Sequence, residues 1–114
     1  MEPTPRSELL EQDLALAEIV SRLVDAYRPE RIYLFGSRAR GEEDADSDYD
    51  LLVVVPDDAS PERLRSRLAY EVLWETGTAA DVVVWTRSLF EERRRVPASL
   101  AATATREGAL LHAE

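Results

Sequence analysis

Residues 31–55 read RIYLFGSRARGEEDADSDYDLLVVV, and this stretch decides the fold. The β-branched and aromatic run Arg31–Phe35 stops at Gly36, which is typical of a strand that enters a tight turn. The run Tyr49–Val55 is almost continuously apolar and ends before Pro56, which is typical of a strand covered on both faces. We therefore predict two buried strands separated by a polar segment.

Helical and extended patterns alternate on either side of these strands. Apolar residues at helical spacing predict one long helix from a Thr4-Pro5 cap to Arg28, and a second from Ser60 to Gly77. A third strand is predicted over 81–85, two tail helices over 88–95 and 97–106, and a final edge strand over 109–111. This alternation predicts an α/β protein in which helices pack against a sheet. Trp74 and Trp85 lie among apolar residues, so we expect both in the core.

The composition excludes several classes of site. The chain has 114 residues, a net charge of −9, no cysteine and a single histidine, His112. These counts exclude disulfides, thiolate nucleophiles, Cys-type metal sites and any site that needs two imidazoles. The acidity argues against direct binding of nucleic acid, and no apolar run is long enough to span a membrane. We expect a single cytoplasmic domain over 1–114 that lacks a signal peptide.

Three aspartates are the candidate metal ligands. Asp48 and Asp50 lie two residues apart at the start of the second strand, so their carboxylates point to the same face. Two carboxylates this close repel each other unless a cation lies between them, which favours Mg²⁺ or Mn²⁺. If Asp81 begins an adjacent strand, three carboxylates converge, and such a triad suits two metal ions in a phosphoryl displacement.

The Gly36-Ser37 turn is the candidate phosphate site. Glycine lets the backbone approach a ligand closely, and the free N–H groups that follow, with the Ser37 hydroxyl, can hold the terminal phosphates of a nucleotide. Arg38 and Arg40 are close enough in sequence to neutralise those phosphates. Because all 14 basic residues are arginine, no lysine is available for this task.

Each candidate residue also has a purely structural interpretation. Asp48 could form a turn with its own backbone, and Asp81 could simply begin a strand. Gly36 and Ser37 could serve only turn geometry and helix capping. Arg40 could form an ion pair with Glu42, Glu43 or Asp48 instead of binding phosphate.

The combined pattern resembles the DNA polymerase β-type nucleotidyltransferase superfamily. The residues that carry the resemblance are Gly36-Ser37-Arg38-Ala39-Arg40-Gly41, then Ser47-Asp48-Tyr49-Asp50-Leu51, then Asp81 after an intervening helix. Within that superfamily the chain is most similar to the small minimal nucleotidyltransferases. The resemblance implies a nucleotidyltransferase fold of the α+β kind, a mixed sheet of about four strands flanked by helices.

The resemblance also implies an activity. Asp48, Asp50 and Asp81 would bind two Mg²⁺ or Mn²⁺ ions, Asp81 would help to deprotonate the acceptor, and Ser47 would join Gly36, Ser37, Arg38 and Arg40 in binding the nucleotide. Many minimal nucleotidyltransferases are antitoxins of HEPN-domain toxins, and some transfer AMP from ATP to a tyrosine of that partner. We therefore expect a protein adenylyltransferase and antitoxin. Two alternatives remain open: an antitoxin that acts by occlusion without turnover, and a nucleotidyltransferase for a small molecule of the antibiotic type.

Overall fold

A four-stranded mixed sheet organises the residues described by the computed structural model, which are 4–36, 39 and 48–114. Its strands are β1 (Arg31–Phe35), β2 (Tyr49–Val55), β3 (Ala80–Thr86) and β4 (Ala109–Ala113). The spatial order is β3-β2-β1-β4, with β1 antiparallel to β2 and β4, and with β2 parallel to β3. The mixed sheet and the edge position of β4 are as predicted.

Helices cover both faces of this sheet. They are α1 (Ser7–Gln12), α2 (Leu14–Tyr27), α3 (Arg67–Leu73), α4 (Arg87–Arg94) and α5 (Leu100–Glu107). Leu51 and Val53 of β2 pack in the core cluster that includes α2 and α3, whereas Leu52 and Val54 pack in the cluster that includes α4 and α5. Burial on alternating faces explains why the apolar run of β2 is continuous.

The predicted first helix is two helices that meet at Asp13. Asp13 has an extended backbone, and its carboxylate accepts a hydrogen bond from the Leu16 N–H at 3.1 Å, which caps α2. The predicted cap at Thr4 is wrong, because α1 is preceded by Arg6 and has no side-chain cap. The end of α2 is as predicted, with Arg28 in the left-handed conformation.

The predicted second helix is also interrupted. A 3₁₀ turn at Pro61–Leu64 precedes α3, and a second 3₁₀ turn at Trp74–Thr76 follows it. The break coincides with a tertiary contact: the buried hydroxyl of Tyr27 donates to the Arg65 carbonyl at 2.5 Å and accepts from the Ala69 N–H at 2.9 Å. The Tyr27 hydroxyl thus forms hydrogen bonds with backbone groups on both sides of the break.

The tail follows the prediction closely. The first tail helix, α4, is capped by Thr86, and α5 begins after Ser99 instead of at Pro97. Ser99 caps α5 by accepting a hydrogen bond from the Ala102 N–H at 3.0 Å. Within the described part of the chain, no helix has the length and apolar character that crossing a membrane requires.

Candidate active site

Three strand ends meet at one edge of the sheet. Phe35, the last residue of β1, is paired with Asp50 of β2, and Asp50 is in turn paired with Asp81 of β3 in parallel register. Residues paired in this way lie on strands about 4.8 Å apart and point to the same face. The structure therefore brings Asp50 and Asp81, which are 31 positions apart in the sequence, side by side.

Gly36 lies directly against the Asp50 side chain. Its φ of +78° is a left-handed conformation that residues with a Cβ rarely adopt. A Cβ added to Gly36 would lie 2.3 Å from Oδ2 of Asp50, well inside van der Waals contact. Glycine is therefore needed at this position both for the turn and for the close approach of the backbone to the carboxylate.

Asp48 lies immediately before β2 and is exposed. The position of this strand start is held by the next residue, because the buried Tyr49 donates its hydroxyl to Oδ2 of Asp13 at 2.6 Å. Asp13 thus caps α2 with one carboxylate oxygen and anchors the start of β2 with the other. The sequence patterns did not reveal this positioning role, because nothing local links residue 13 to residue 49.

A cleft of about 740 Å³ opens beside these carboxylates, between α3 and the start of β3. Asp48 and Asp81 line it at the strand ends, and Leu73 and Val82 contribute apolar lining. Its remaining lining residues include Tyr70 and Trp74. Val82 packs on the α2 and α3 side of the sheet, and alternation along β3 turns the Asp81 side chain to the opposite face, which Val83 shares.

The predicted core position of Trp74 is wrong. Trp74 is 83% exposed and Tyr70 is 64% exposed, whereas Trp85 is half-buried and packs against the second core cluster as predicted. The spacing contained the signal: Leu68 and Val72 define the core-facing side, and residues two positions away lie about 200° around a helix. Tyr70 and Trp74, four residues apart, share the opposite side.

The sequence matches the nucleotidyltransferase domain family over residues 15–107, which include the three aspartates and Gly36. The chain belongs to the nucleotidyltransferase domain family. A comparison with curated proteins finds no significant match.

Three solved structures share the nucleotidyltransferase fold. A toxin–antitoxin complex with AMP-PNP is 22% identical with a TM-score of 0.59, over 86% of this chain and 73% of that one. A toxin–antitoxin complex MntA–HpeT, with Glu in place of two Asp residues two positions apart, is 20% identical with a TM-score of 0.57 over the same 86% and 73%. A Sulfolobus solfataricus protein assigned as a nucleotidyltransferase is 24% identical with a TM-score of 0.56, over 96% and 87%.

The predicted phosphate cradle of this nucleotidyltransferase domain falls largely outside the described residues. Ser37, Arg38, Arg40 and Ser47 all lie there, so their roles stay predictions. Gly36 is the described residue of the predicted cradle, and its backbone lies against the Asp50 side chain.

Asp50 and Asp81 need further oxygen donors, such as water and substrate phosphates, to hold a divalent cation. Asp50 and Asp81 are paired, but no group of three Asp, Glu or His side chains among residues 4–36, 39 and 48–114 is close enough to hold a metal ion. Convergence of all three carboxylates on bound metal ions stays a prediction. Mg²⁺ is usually held by one or two carboxylates with water and substrate phosphates, so a pair of hard oxygen donors beside a phosphate site suits it.

The acidic residues are not all at this edge of the sheet. From the sequence, eight acids fall between residues 42 and 58 with no basic residue among them. Asp57, however, follows the far end of β2, where its carboxylate accepts hydrogen bonds from the Ser88 hydroxyl at 2.5 Å and the Ser88 N–H at 2.9 Å. These bonds, the hydroxyl first, lower the pKa of Asp57. Asp57 thus holds the start of α4 and is separate from the candidate metal ligands.

Proposed function

We propose that this protein is a metal-dependent nucleotidyltransferase that transfers AMP from ATP to a hydroxyl group of a protein partner. The proposal rests above all on the juxtaposition of Gly36, Asp50 and Asp81, which places a close backbone approach beside two carboxylates. Membership of the nucleotidyltransferase domain family supports the same reaction class. We further propose that residues 1–114 act as one domain and that the partner is a HEPN-type toxin.

Each residue has a defined task in this proposal. Asp48, Asp50 and Asp81 hold Mg²⁺ or Mn²⁺, which when bound neutralises charge on the triphosphate. The Gly36 turn holds the phosphates through backbone N–H groups. The acceptor oxygen attacks the α-phosphorus, the bond from that phosphorus to the bridging oxygen breaks, and pyrophosphate leaves in line. Asp81 takes the proton of the acceptor hydroxyl.

Two of the solved structures support the assignment of nucleotide and partner. One is a toxin–antitoxin complex that contains AMP-PNP, an ATP analogue. The other carries Glu in place of two Asp residues whose spacing equals that of Asp48 and Asp50. By this analogy we propose that the chain is the antitoxin of such a pair.

Label transfer tests the proposed activity. The protein is incubated with Mg²⁺ and ATP labelled at the α-phosphate, with the product of the adjacent gene as acceptor. We expect the acceptor to become labelled, and we expect Asp50→Asn and Asp81→Asn to reduce labelling about 100-fold or more, as removal of a charge-stabilising group does. Asp57→Asn is the matched control, because it makes the same charge change at the far end of β2.

The position of the label identifies the chemistry. Label at the α-phosphate must stay with the acceptor, and label at the γ-phosphate must leave with pyrophosphate. Transfer of γ-label would indicate a kinase and contradict the proposal. So would wild-type labelling no higher than that of Asp50→Asn.

The second candidate function is neutralisation of the toxin by occlusion, without nucleotidyl transfer. The two toxin–antitoxin structures that share this fold support it. In that case Asp50→Asn would neutralise the toxin as well as wild type does in a co-expression growth assay. If transfer is required, the variant fails to protect although it still forms the complex.

A further inference from the structure

The outer edge of β3 carries unpaired backbone groups. β3 lies at one end of the sheet, and among the described residues no strand pairs with its outer side and no backbone group from outside the sheet bonds to it. The opposite edge is different, because the Arg6 N–H donates to the Leu110 carbonyl at 2.8 Å and the pairing of β4 with β1 contains an irregularity. An open edge presents a row of N–H and C=O groups that can pair with a strand of another molecule.

The sequence of β3 favours such pairing. Its seven residues read Ala-Asp-Val-Val-Val-Trp-Thr and pair with β2 in continuous register. Natural edge strands avoid pairing with other chains by means of Lys, Pro, bulges or short length, and β3 has none of these. Its one charged residue, Asp81, lies near its start. The valines and Trp85 are residue types that pack well across a pair of strands.

Asp81 shares one face of β3 with Val83 and Trp85. Side chains two positions apart on a strand point to the same face, and Val83 and Trp85 pack against the second core cluster, on the side of α4 and α5. Both are half-buried, whereas Asp81 is exposed. The proposed proton acceptor is therefore followed, at intervals of about 7 Å, by two apolar side chains that the fold covers only in part.

A strand added to this edge would place its own side chains beside these three residues. Residues directly opposite each other in antiparallel strands point to the same face, with Cβ atoms about 4.5–5.5 Å apart. A residue opposite Asp81 therefore carries its side chain next to the carboxylate, and residues two and four positions away lie opposite Val83 and Trp85.

The order of the strands also suits the reaction. Gly36 follows β1, Asp50 lies on β2, and Asp81 lies on β3, so an added strand approaches from the side away from Gly36. In an in-line displacement the attacking and leaving oxygens lie on opposite sides of phosphorus. If the Gly36 turn holds the leaving pyrophosphate, a hydroxyl on the added strand enters from the side that this geometry requires.

We propose that the acceptor polypeptide binds as an additional antiparallel strand on β3, with its hydroxyl-bearing residue opposite Asp81 and apolar residues opposite Val83 and Trp85. In this mode of recognition main-chain hydrogen bonds supply affinity, and alternate side chains supply specificity. The inference rests on the proposed transferase activity and adds how the acceptor is held. The acceptor oxygen bonds to the α-phosphorus as the bond to pyrophosphate breaks, and its proton passes to Asp81.

A synthetic peptide tests the pairing without turnover. The probe is Gln-Val-Gln-Val-Gln-Tyr-Gln, with one residue for each of the seven in β3. In antiparallel pairing its Tyr lies opposite Asp81 and its Val residues lie opposite Val83 and Trp85. We expect binding of the probe to slow hydrogen exchange of the β3 amides, while exchange of the β4 amides stays unchanged.

N-methylated peptides separate strand pairing from other contacts. Alternate residues of an antiparallel strand direct their N–H groups toward the partner strand and away from it. One version of the probe is N-methylated at its Val and Tyr residues, and the other at the Gln residues that follow them. We expect one version to lose about tenfold or more in affinity and the other to bind nearly as the parent does. Equal affinity of the two versions would overturn the pairing.

Matched protein variants locate the bound peptide. Val83→Lys places on the shared face the kind of charge that natural edge strands use against pairing. Leu14→Lys makes the same change at a side chain that is 80% exposed on α2, a helix that packs on the other face of the sheet. We expect at least a tenfold loss of peptide affinity in the first variant and none in the second, and equal affinities would contradict the inference. If Val83→Lys does not fold, the N-methylated pair decides.

A second copy of the chain is the other occupant that could pair with this edge. Sedimentation and hydrogen exchange without peptide distinguish the two. We expect β3 amides that exchange at the same rate at every protein concentration. A dimer in which these amides are already protected would assign the edge to self-association and overturn the proposal.

Label transfer to the probe tests the register. With ATP labelled at the α-phosphate and Mg²⁺, we expect the probe to be labelled and a peptide with its Tyr moved by one position to stay unlabelled, because the shift turns the hydroxyl to the other face. Equal labelling of both peptides would overturn the inference. So would a bound but unlabelled probe when the product of the adjacent gene is labelled. Failure of the transferase proposal is distinct, since every acceptor then stays unlabelled while the probe still pairs with β3.

Discussion

Replacing Gly36 with alanine tests how tightly the candidate active site is built. The left-handed conformation at φ +78° costs a residue with a Cβ about 1–2 kcal/mol, and reduced freedom of the unfolded chain offsets about 0.4–1 kcal/mol of this. The expected net loss of unfolding free energy from the backbone alone is about 1 kcal/mol, equivalent to a fall in melting temperature of about 4 °C.

The new methyl group also displaces the Asp50 carboxylate. The added Cβ would lie 2.3 Å from Oδ2, whereas ordinary contact begins at 3.4 Å, so the carboxylate must move by about 1 Å. Misplacement of a reacting group on that scale costs about 100-fold in rate. We therefore expect Gly36→Ala to lose about 100-fold in AMP transfer while it remains folded.

Gly77→Ala is the matched control. Gly77 has a similar φ of +67°, but a Cβ built there meets nothing within 4 Å. It should show the same stability loss of about 1 kcal/mol in thermal or urea unfolding, with transfer close to wild type. If Gly36→Ala transfers AMP within about threefold of Gly77→Ala, the inferred coupling between the Gly36 backbone and Asp50 is incorrect.

Three further predictions concern stability. Tyr27→Phe leaves the Arg65 carbonyl without this donor, whereas the Ala69 N–H keeps its bond to the Ser66 carbonyl at 3.0 Å, and the unfolding free energy should fall by about 1–3 kcal/mol in urea titrations. Burial raises the pKa of Tyr27, so wild-type stability should fall as pH rises above the phenol's unfolded pKa, and the variant should lack that fall. The lowered pKa of Asp57 means that its contribution is present above the unfolded pKa and is lost as pH falls through the folded pKa; Asp57→Asn should therefore differ most from wild type at neutral pH and converge with it in acid, and a constant difference in melting temperature would contradict this. Asp13→Ala removes the cap of α2 and the acceptor of the Tyr49 hydroxyl, and should cost about 1–2 kcal/mol by the same titrations; an unchanged midpoint would show that this anchor contributes nothing.

Local patterns predicted the strands more accurately than the helices. Both β1 and β2 have the predicted bounds, and β3 extends the prediction by one residue at each end. These runs are short, apolar and bounded by Gly36 or Pro56, so their length and type follow from residues close in sequence. The two long predicted helices are each interrupted. Hydrophobic periodicity did not predict the breaks, because it carries no information about contacts with side chains distant in the sequence.

The interruptions have identifiable tertiary causes. Asp13 ends one helix and caps the next while it accepts a hydrogen bond from Tyr49. The break near Arg65 lies where the Tyr27 hydroxyl takes up backbone groups. In both places a hydrogen bond between residues about 40 positions apart accompanies a departure from the local helical preference.

The candidate site divides in the same way. Residue types and spacing were enough to select Gly36, Asp48, Asp50 and Asp81 as candidates, because turn geometry and side-chain alternation are local properties. The mixed sheet was expected from the resemblance to nucleotidyltransferases. Strand order and register were not local: they alone place Asp50 beside Asp81 and leave Trp74 on the wall of a cleft instead of in the core. Pairing of β2 with β3 depends on how the helices between them pack, and that packing is a property of the assembled core.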